Sequence, residues 1–519
     1  MVFGFINRFF ALLMPFIVRT VLIYRFGVVY LGLNSLLTSV FQVLNLAELG
    51  FGTAIVYSLY RPVAEHDTRT VCAYLGTFRS IYRFIGYIIL AVGLAFMPVF
   101  PLLLKNSAVP GDTNLFVCYL IFLADTAVSY LLFGYKTVIP SVLQRNDLIS
   151  KIDTAVMAAK SVLQIIFLLW TESFYFYLLA SLLFTIIRNL LISQMAEQCF
   201  PQYVCKGNIS KEQFAEVKRL VCGLALSKIR EVSRNGLDNI CITVFIGLTM
   251  TAIYDNYFCI HAAVVSVSSV LCNAMIPSVG NSIAVESRYK NYCDMRRFNF
   301  IYMLLAGWVT VCLFCLYQPF VKIWMGSNLM LGFPEAAAFC LYFYILKMGD
   351  MRWIYFEGAG LWWHARYIAL AEIILNLFLN VLLVQYWGVL GIIAATLFSL
   401  FFVNFICSAQ ILFRYYFRNN RLHEFFIDHA RYFTVTTGIA FLCHYLCERL
   451  FSGSGEYAFY SGIPGLGLRF IICTAISVAG YFLAYHRFEQ YRDAADWLAR
   501  RYRMVNEDGK NVSGTSGKL

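Results

Sequence analysis

Fourteen apolar runs, each long enough to cross a bilayer, fill this 519-residue chain from Phe9 to His486, and no soluble domain interrupts them. A helix needs about 20 mostly apolar residues to span about 30 Å of hydrocarbon. The runs lie near residues 9–29, 33–56, 79–104, 115–135, 152–171, 173–195, 221–247, 251–277, 299–325, 334–357, 366–386, 389–413, 431–451 and 464–486. Charged residues make up only 13% of the chain, and its mean hydropathy is +0.68. The expectation is an all-α integral membrane protein with 14 transmembrane helices.

Lysine and arginine set the orientation, because short basic loops stay cytoplasmic. With the N-terminus inside, the loops after spans 2, 4, 6, 8, 10 and 12 are the basic ones. They carry, among others, Arg61, Arg69, Lys136, Arg145, Lys206, Lys211, Arg288, Arg296, Arg366, Arg414 and Arg431. The opposite loops hold Arg25, Lys105, Lys322, Arg449 and Arg469. Both termini are therefore expected in the cytoplasm. The net charge of +12 is explained by this topology. Nucleic acid is not an expected partner, and contact with anionic lipid is. No cleavable signal peptide is evident. Most of the 16 cysteines sit inside apolar runs, where cysteine behaves as a small hydrophobe, so no metal or disulfide role is expected.

Local patterns recur about 220 residues apart. Gly27-Val-Val-Tyr-Leu-Gly32-Leu33 resembles Gly247-Leu-Thr-Met-Thr-Ala252-Ile253, and Pro98-Val-Phe-Pro sits opposite Pro319-Phe-Val-Lys. They favour two pseudo-repeated six-helix lobes, residues 1–200 and 221–430, joined by a cytoplasmic linker at 201–220. Helices 13 and 14 follow at 431–486, and a basic cytoplasmic tail occupies 487–519. Transporters built from such repeats bind substrate at the interface between halves.

Charge inside the membrane is the strongest functional signal. A mid-membrane lysine, arginine or aspartate costs roughly 2.5–3.5 kcal/mol on insertion scales. Span 7 carries Lys228, Arg230, Glu231, Arg234 and Asp238, with Asn235 and Asn239 between them. At about 100° per residue, Arg230, Arg234 and Asp238 follow one another at about 40° steps, and Arg234 and Asp238 can pair as i,i+4 neighbours. Lys228, Asn235 and Asn239 fall on the opposite side. One reading is a hydrated, cation-rich cavity that receives an anion. The other is that the block forms the cytoplasmic end of a span starting near Gly236. Span 1 adds Arg19 at mid-run, read as a cavity residue, and Arg25, which suits a cavity or a snorkelling interface position equally. Glu48, Asp125, Asp238 and Asn239 are candidate polar cavity or coupling residues. For Glu48 and Asp125, a structural ion pair or a helix-end position is the competing reading. Lys347 and Asp350 sit a turn apart in span 10, and His261 reads as a satisfied interior histidine.

Tyr30-Leu-Gly-Leu-Asn34, Leu46-Ala-Glu-Leu-Gly-Phe-Gly52, Ala54-Ile-Val-Tyr-Ser-Leu-Tyr60, Tyr82-Arg-Phe-Ile-Gly86, Asp238-Asn239, Gly247 through Tyr254-Asp-Asn-Tyr257, Ser278-Val-Gly-Asn281 and Pro319-Phe-Val-Lys-Ile-Trp-Met-Gly326 occur in order over the first 330 residues. Together they resemble the bacterial polysaccharide and O-antigen flippases. These form the polysaccharide transporter branch of the multidrug/oligosaccharidyl-lipid/polysaccharide flippase superfamily. The resemblance implies two six-helix lobes around a cationic cavity in the bacterial cytoplasmic membrane. It implies an undecaprenyl-diphosphate-linked oligosaccharide as substrate, flipped outward for capsule, exopolysaccharide or O-antigen synthesis alongside other polysaccharide-assembly proteins. Related lipid II flippases hold the diphosphate with first-span arginines, and Arg19 and Arg25 occupy comparable positions here. Asp255 departs from the family form, in which serine is frequent.

Physical chemistry supports the same substrate class, since arginine gives a diphosphate planar, bidentate, charge-assisted donors. Substrate binding is assigned to Arg19, Arg25, Lys228, Arg230 and Arg234, with Asp238 orienting Arg234. No cofactor, metal or catalytic residue is expected, and H+, Na+ or membrane potential remain open as driving forces. The rivals are a multidrug/cation antiporter of the same superfamily, a membrane-embedded polymerase or glycosyltransferase, and a non-transporting scramblase. If Glu48 or Asp125 couples transport to an ion gradient, neutralising that carboxylate abolishes gradient-dependent transport. Unchanged transport in both variants removes them from coupling.

Overall fold

Inside hydrocarbon each backbone N–H and C=O must be satisfied within its own segment, so an apolar run of this length becomes a helix. The computed structural model describes residues 2–48, 50–171, 173–361, 364–418, 421–451 and 462–500; the side chains of residues 2–9 and of Lys228, Glu231 and Asn235, among others, lie outside that description. The helices are α1 (Val2–Phe26), α2 (Val28–Leu44), α3 (Phe51–Ala64), α4 (Thr68–Phe96), α5 (Leu115–Leu131), α6 (Val138–Val142), α7 (Asn146–Trp170), α8 (Phe174–Cys199), α9 (Lys211–Phe245), α10 (Leu248–Val285), α11 (Arg288–Met325), α12 (Phe333–Met348), α13 (Asp350–Gly358), α14 (Arg366–Phe398), α15 (Ser408–Ile411), α16 (Leu422–Phe451) and α17 (Ile463–Tyr485). Among the described residues there is no strand, and each of the fourteen apolar runs falls on helix. The chain is an all-α, multi-pass membrane protein.

Polar caps start several helices where the chain leaves its loops. Asp67 accepts from the Thr70 N–H (3.0 Å), Asn114 from Phe116 N–H (3.0 Å) and Ser287 from Lys290 N–H (3.2 Å). A reciprocal capping box of Ser210 and Gln213 opens α9. Breaks inside the runs have identifiable causes. Gly388, at φ 56° and ψ −132°, divides the helical stretch from Arg366 to Phe417 into the expected spans 11 and 12. The second of these continues through two π-helical segments, Ser399–Cys407 and Leu412–Phe417. Span 10 is interrupted at Gly349 between α12 and α13.

The chain forms two compact units, residues 1–259 with 369–395, and residues 260–368 with 396–519. These follow packing, whereas the lobes expected from the sequence follow chain order: α9, the start of α10 and the middle of α14 group with α1–α8. In the first unit α2 is largely buried, with Leu31, Leu33, Leu36 and Leu37 fully enclosed. In the second, α11 packs against α12, α16 and α17. Residues 489–500 are helical and dock on that unit, where Arg297 forks onto Asp493 (2.7 and 2.9 Å) and Gln490 donates to Asp428 (2.7 Å). Residues 501–519 of the expected tail lie outside the described residues.

Lipid tails are as apolar as leucine, so helices in a membrane gain from close backbone approach at small residues. Gly32 of α2 is such a point, for a Cβ there would lie 2.1 Å from the Leu248 carbonyl oxygen of α10. Gly32→Val should therefore cut the yield of monodisperse protein severalfold and lower its Tm. Gly280→Ala, where a Cβ meets nothing within 4 Å, should leave both unchanged. Size-exclusion profiles and thermal melts in detergent compare the two.

A buried polar belt as candidate functional site

Two glycine turns set the depth of the polar residues. Gly27 (φ +96°) joins α1 to α2, and Gly247 (φ +125°) joins α9 to α10. Both angles belong to the left-handed region that glycine adopts without steric penalty. Measured along the helices, Arg19, Ser35, Asp238 and Asp255 each lie about 10 Å from their turn. Four helices thus bring polar side chains to one level.

At that level Arg19 donates to Asp255 Oδ2 (2.5 Å) and to Asn256 Oδ1 (3.3 Å). Ser35 donates to the same Asp255 oxygen (2.6 Å), while Asn239 donates to Ser39 Oγ (3.0 Å) and Asp255 Oδ1 (3.4 Å). The pair is largely enclosed, with 21% of the Arg19 side chain and 11% of Asp255 exposed. Asp238 accepts from Asn380 (2.8 Å) and from the Tyr254 hydroxyl (3.1 Å).

Farther along α9, Arg230 and Arg234 lie about 22 and 16 Å from Phe245. Both face Glu372 of α14, at 3.8 and 3.6 Å. Glu372 is 3% exposed against 15% and 16% for the two arginines. These separations are ion-pair contacts, longer than hydrogen bonds. The charged block lies within a continuous 35-residue helix that ends before Gly247, so a span running from Gly236 through that turn is not what the chain forms.

The other expected residues are placed as follows. Arg25 donates to the last carbonyls of α7, Leu168 O (3.4 Å) and Leu169 O (3.0 Å), which the helix itself leaves unsatisfied. Glu48, in the 3-10 turn Asn45–Glu48, accepts from the hydroxyls of Tyr82 (2.7 Å) and Tyr130 (3.2 Å). Asp125 sits beside Thr185 and the Lys160 ammonium. The Lys228 side chain lies outside the described residues. The structure thus brings Arg19 and Asn239 together through Asp255, and Arg230 and Arg234 together through Glu372. It holds Arg25, Glu48 and Asp125 in separate settings.

Asp255 and Glu372 were not assigned a role from sequence, yet they are the counter-charges of the belt. A signal for Glu372 was present: Glu372, Asn376 and Asn380 recur every four residues inside an apolar run, which is one face of a helix. With these two included, Arg19, Arg230 and Arg234 face Asp238, Asp255 and Glu372. Among the described residues the belt thus carries three charges of each sign.

Removing one partner of a buried pair leaves an uncompensated charge and costs roughly 3–5 kcal/mol when burial is complete. The exposure of Arg19 places this pair below that range. Arg19→Ala and Asp255→Ala should each lower the Tm clearly. The double variant should lose less than the sum of the two in a double-mutant cycle. Strict additivity in thermal melts would mean that the pair is not coupled.

No protein-family model matches the sequence, and no curated protein does. Solved structures do match in fold. The lipid II flippase MurJ in an inward closed conformation aligns with a TM-score of 0.63 at 13% identity, covering 93% of this chain and 99% of that one. An inward-facing multidrug resistance MATE family transporter of the MOP superfamily aligns with a TM-score of 0.60 at 13% identity, over 79% of this chain and 94% of that one. A MOP superfamily transporter from Pyrococcus furiosus, described as having a binding pocket of reverse polarity, aligns at 0.52 and 13% identity over 80% and 94%. The chain has the fold of these transporters.

Proposed function

We propose that this protein is a flippase that moves an undecaprenyl-diphosphate-linked oligosaccharide across the bacterial cytoplasmic membrane for surface polysaccharide synthesis. The observation that carries the proposal is the set of three arginines, Arg19, Arg230 and Arg234, held far inside α1 and α9 in one compact unit. The sugar headgroup needs a hydrated path, the diphosphate needs charge-assisted donors, and the isoprenoid tail can stay in lipid. In the unloaded protein, carboxylates pair with the guanidiniums and orient them. Glu372 lies 3.8 and 3.6 Å from Arg230 and Arg234, and a diphosphate would compete with it for these charge-assisted donors. Alternating access then carries the headgroup across, with both termini in the cytoplasm. Glu48 and Asp125 are the candidates for coupling transport to an H+ gradient, and Na+ coupling is the alternative.

The multidrug reading draws support from the MATE likeness and from the three carboxylates of the belt, which suit a cationic drug. The lipid-linked reading draws support from coverage: the MurJ likeness extends over 93% of this chain, against 79% for that MATE transporter.

Complementation of a strain lacking its own repeat-unit flippase distinguishes the two. Wild type should restore surface polysaccharide across a panel of host strains with different repeat units. Arg234→Ala and Arg230→Ala should lose it by tenfold or more at equal membrane expression. Drug resistance conferred by wild type without restoration of polysaccharide in any host would favour the antiporter.

A further inference from the structure

A second cluster, in the second unit, has no part in the transport reading. Cys315 of α11, Cys447 of α16 and Cys473 of α17 place their Sγ atoms within 4.8 Å of one another. They are 2%, 1% and 0% exposed. Each of these helices packs against the other two, so three separate segments meet at sulfur. Close packing asks only for small apolar side chains here, and cysteine serves as one. It does not require that all three contact residues carry a soft metal ligand.

Geometry decides what such a trio can hold. Sulfurs bound at about 2.3 Å to a central ion in a trigonal plane stand about 4.0 Å apart. The three thiols reach that spacing by closing less than about 1 Å. Thiolate ligands select soft ions, chiefly Cu(I), zinc and iron–sulfur centres. Zinc in structural sites takes four ligands, and among the described residues no histidine or carboxylate joins the three sulfurs. The donor set therefore fits a three-coordinate monovalent ion.

We propose that Cys315, Cys447 and Cys473 form a buried trigonal thiolate site for one cuprous ion. Each sulfur binds as a thiolate, so one Cu(I) displaces three protons and the site acquires a net charge of −2. Arg469, one turn before Cys473 on α17 and stacked 4.6 Å from the Phe451 ring, supplies a nearby positive charge. Proton release makes binding stronger as pH rises. The ion ties α11, α16 and α17 together, and binding to the folded state alone raises stability by mass action.

The test uses full-length, reduced, metal-free protein in detergent, titrated with Cu(I) from a chromophoric bicinchoninate complex. Wild type should withdraw one equivalent, with its Tm raised and with affinity falling as pH falls. The triple variant Cys315→Ala/Cys447→Ala/Cys473→Ala should lose that equivalent. Cys118→Ala/Cys340→Ala, which removes buried thiols elsewhere, should keep it. X-ray absorption of loaded wild type should show three sulfur neighbours near 2.3 Å, and this reading stands even if the triple variant fails to fold. Absence of stoichiometric binding, retention in a folded triple variant, or a shell dominated by nitrogen or oxygen would overturn the site.

Discussion

The Arg19–Asp255 ion pair is the constraint on which the first unit depends. Two opposite charges taken out of water must meet with good geometry and with their remaining hydrogen-bond capacity filled, or the helices carrying them do not assemble. Asp255 accepts from α1 through Arg19, from α2 through Ser35 and from α9 through Asn239. One carboxylate on α10 thus fixes the register of three other helices. The close approach of α2 to α10 at Gly32 and the left-handed glycines at both turns allow those partners to reach the same level.

The same economy explains why the unit gathers segments remote in sequence. Asp238 is held by Asn380, and Arg230 and Arg234 by Glu372, so the middle of α14 joins α9 through polar contacts that hydrocarbon cannot replace. Ser35 and Asp255, bonded directly, are 220 residues apart, the interval that also separates Gly27 from Gly247.

Helices were legible because apolar length alone specifies them in a bilayer, and even the Gly388 turn between spans 11 and 12 fell where the runs separate. The positions of the arginines were legible for the same reason, as anomalies in apolar runs. Their partners were not. Helical geometry relates residues on one helix, such as Arg234 and Asp238, whereas the bonds of Asp238 with Asn380 and Tyr254 come from α14 and α10. Arg19 and Asp255 are 236 residues apart, and no local pattern joins them. For Arg25 the sequence left two environments open, and only the packing of α1 against α7 brought its guanidinium onto the carbonyls of Leu168 and Leu169.

On the proposed function, a lipid-linked diphosphate would have to compete with Glu372 and Asp255 for arginines that are already engaged. The most direct test is native mass spectrometry of the purified protein with undecaprenyl diphosphate and with undecaprenyl monophosphate, across wild type, Glu372→Gln and Arg230→Gln/Arg234→Gln. The account predicts a preference for the diphosphate in wild type, tighter binding in Glu372→Gln and loss of the preference in the arginine variant. Equal binding of both lipids, unaffected by the arginines, would contradict it.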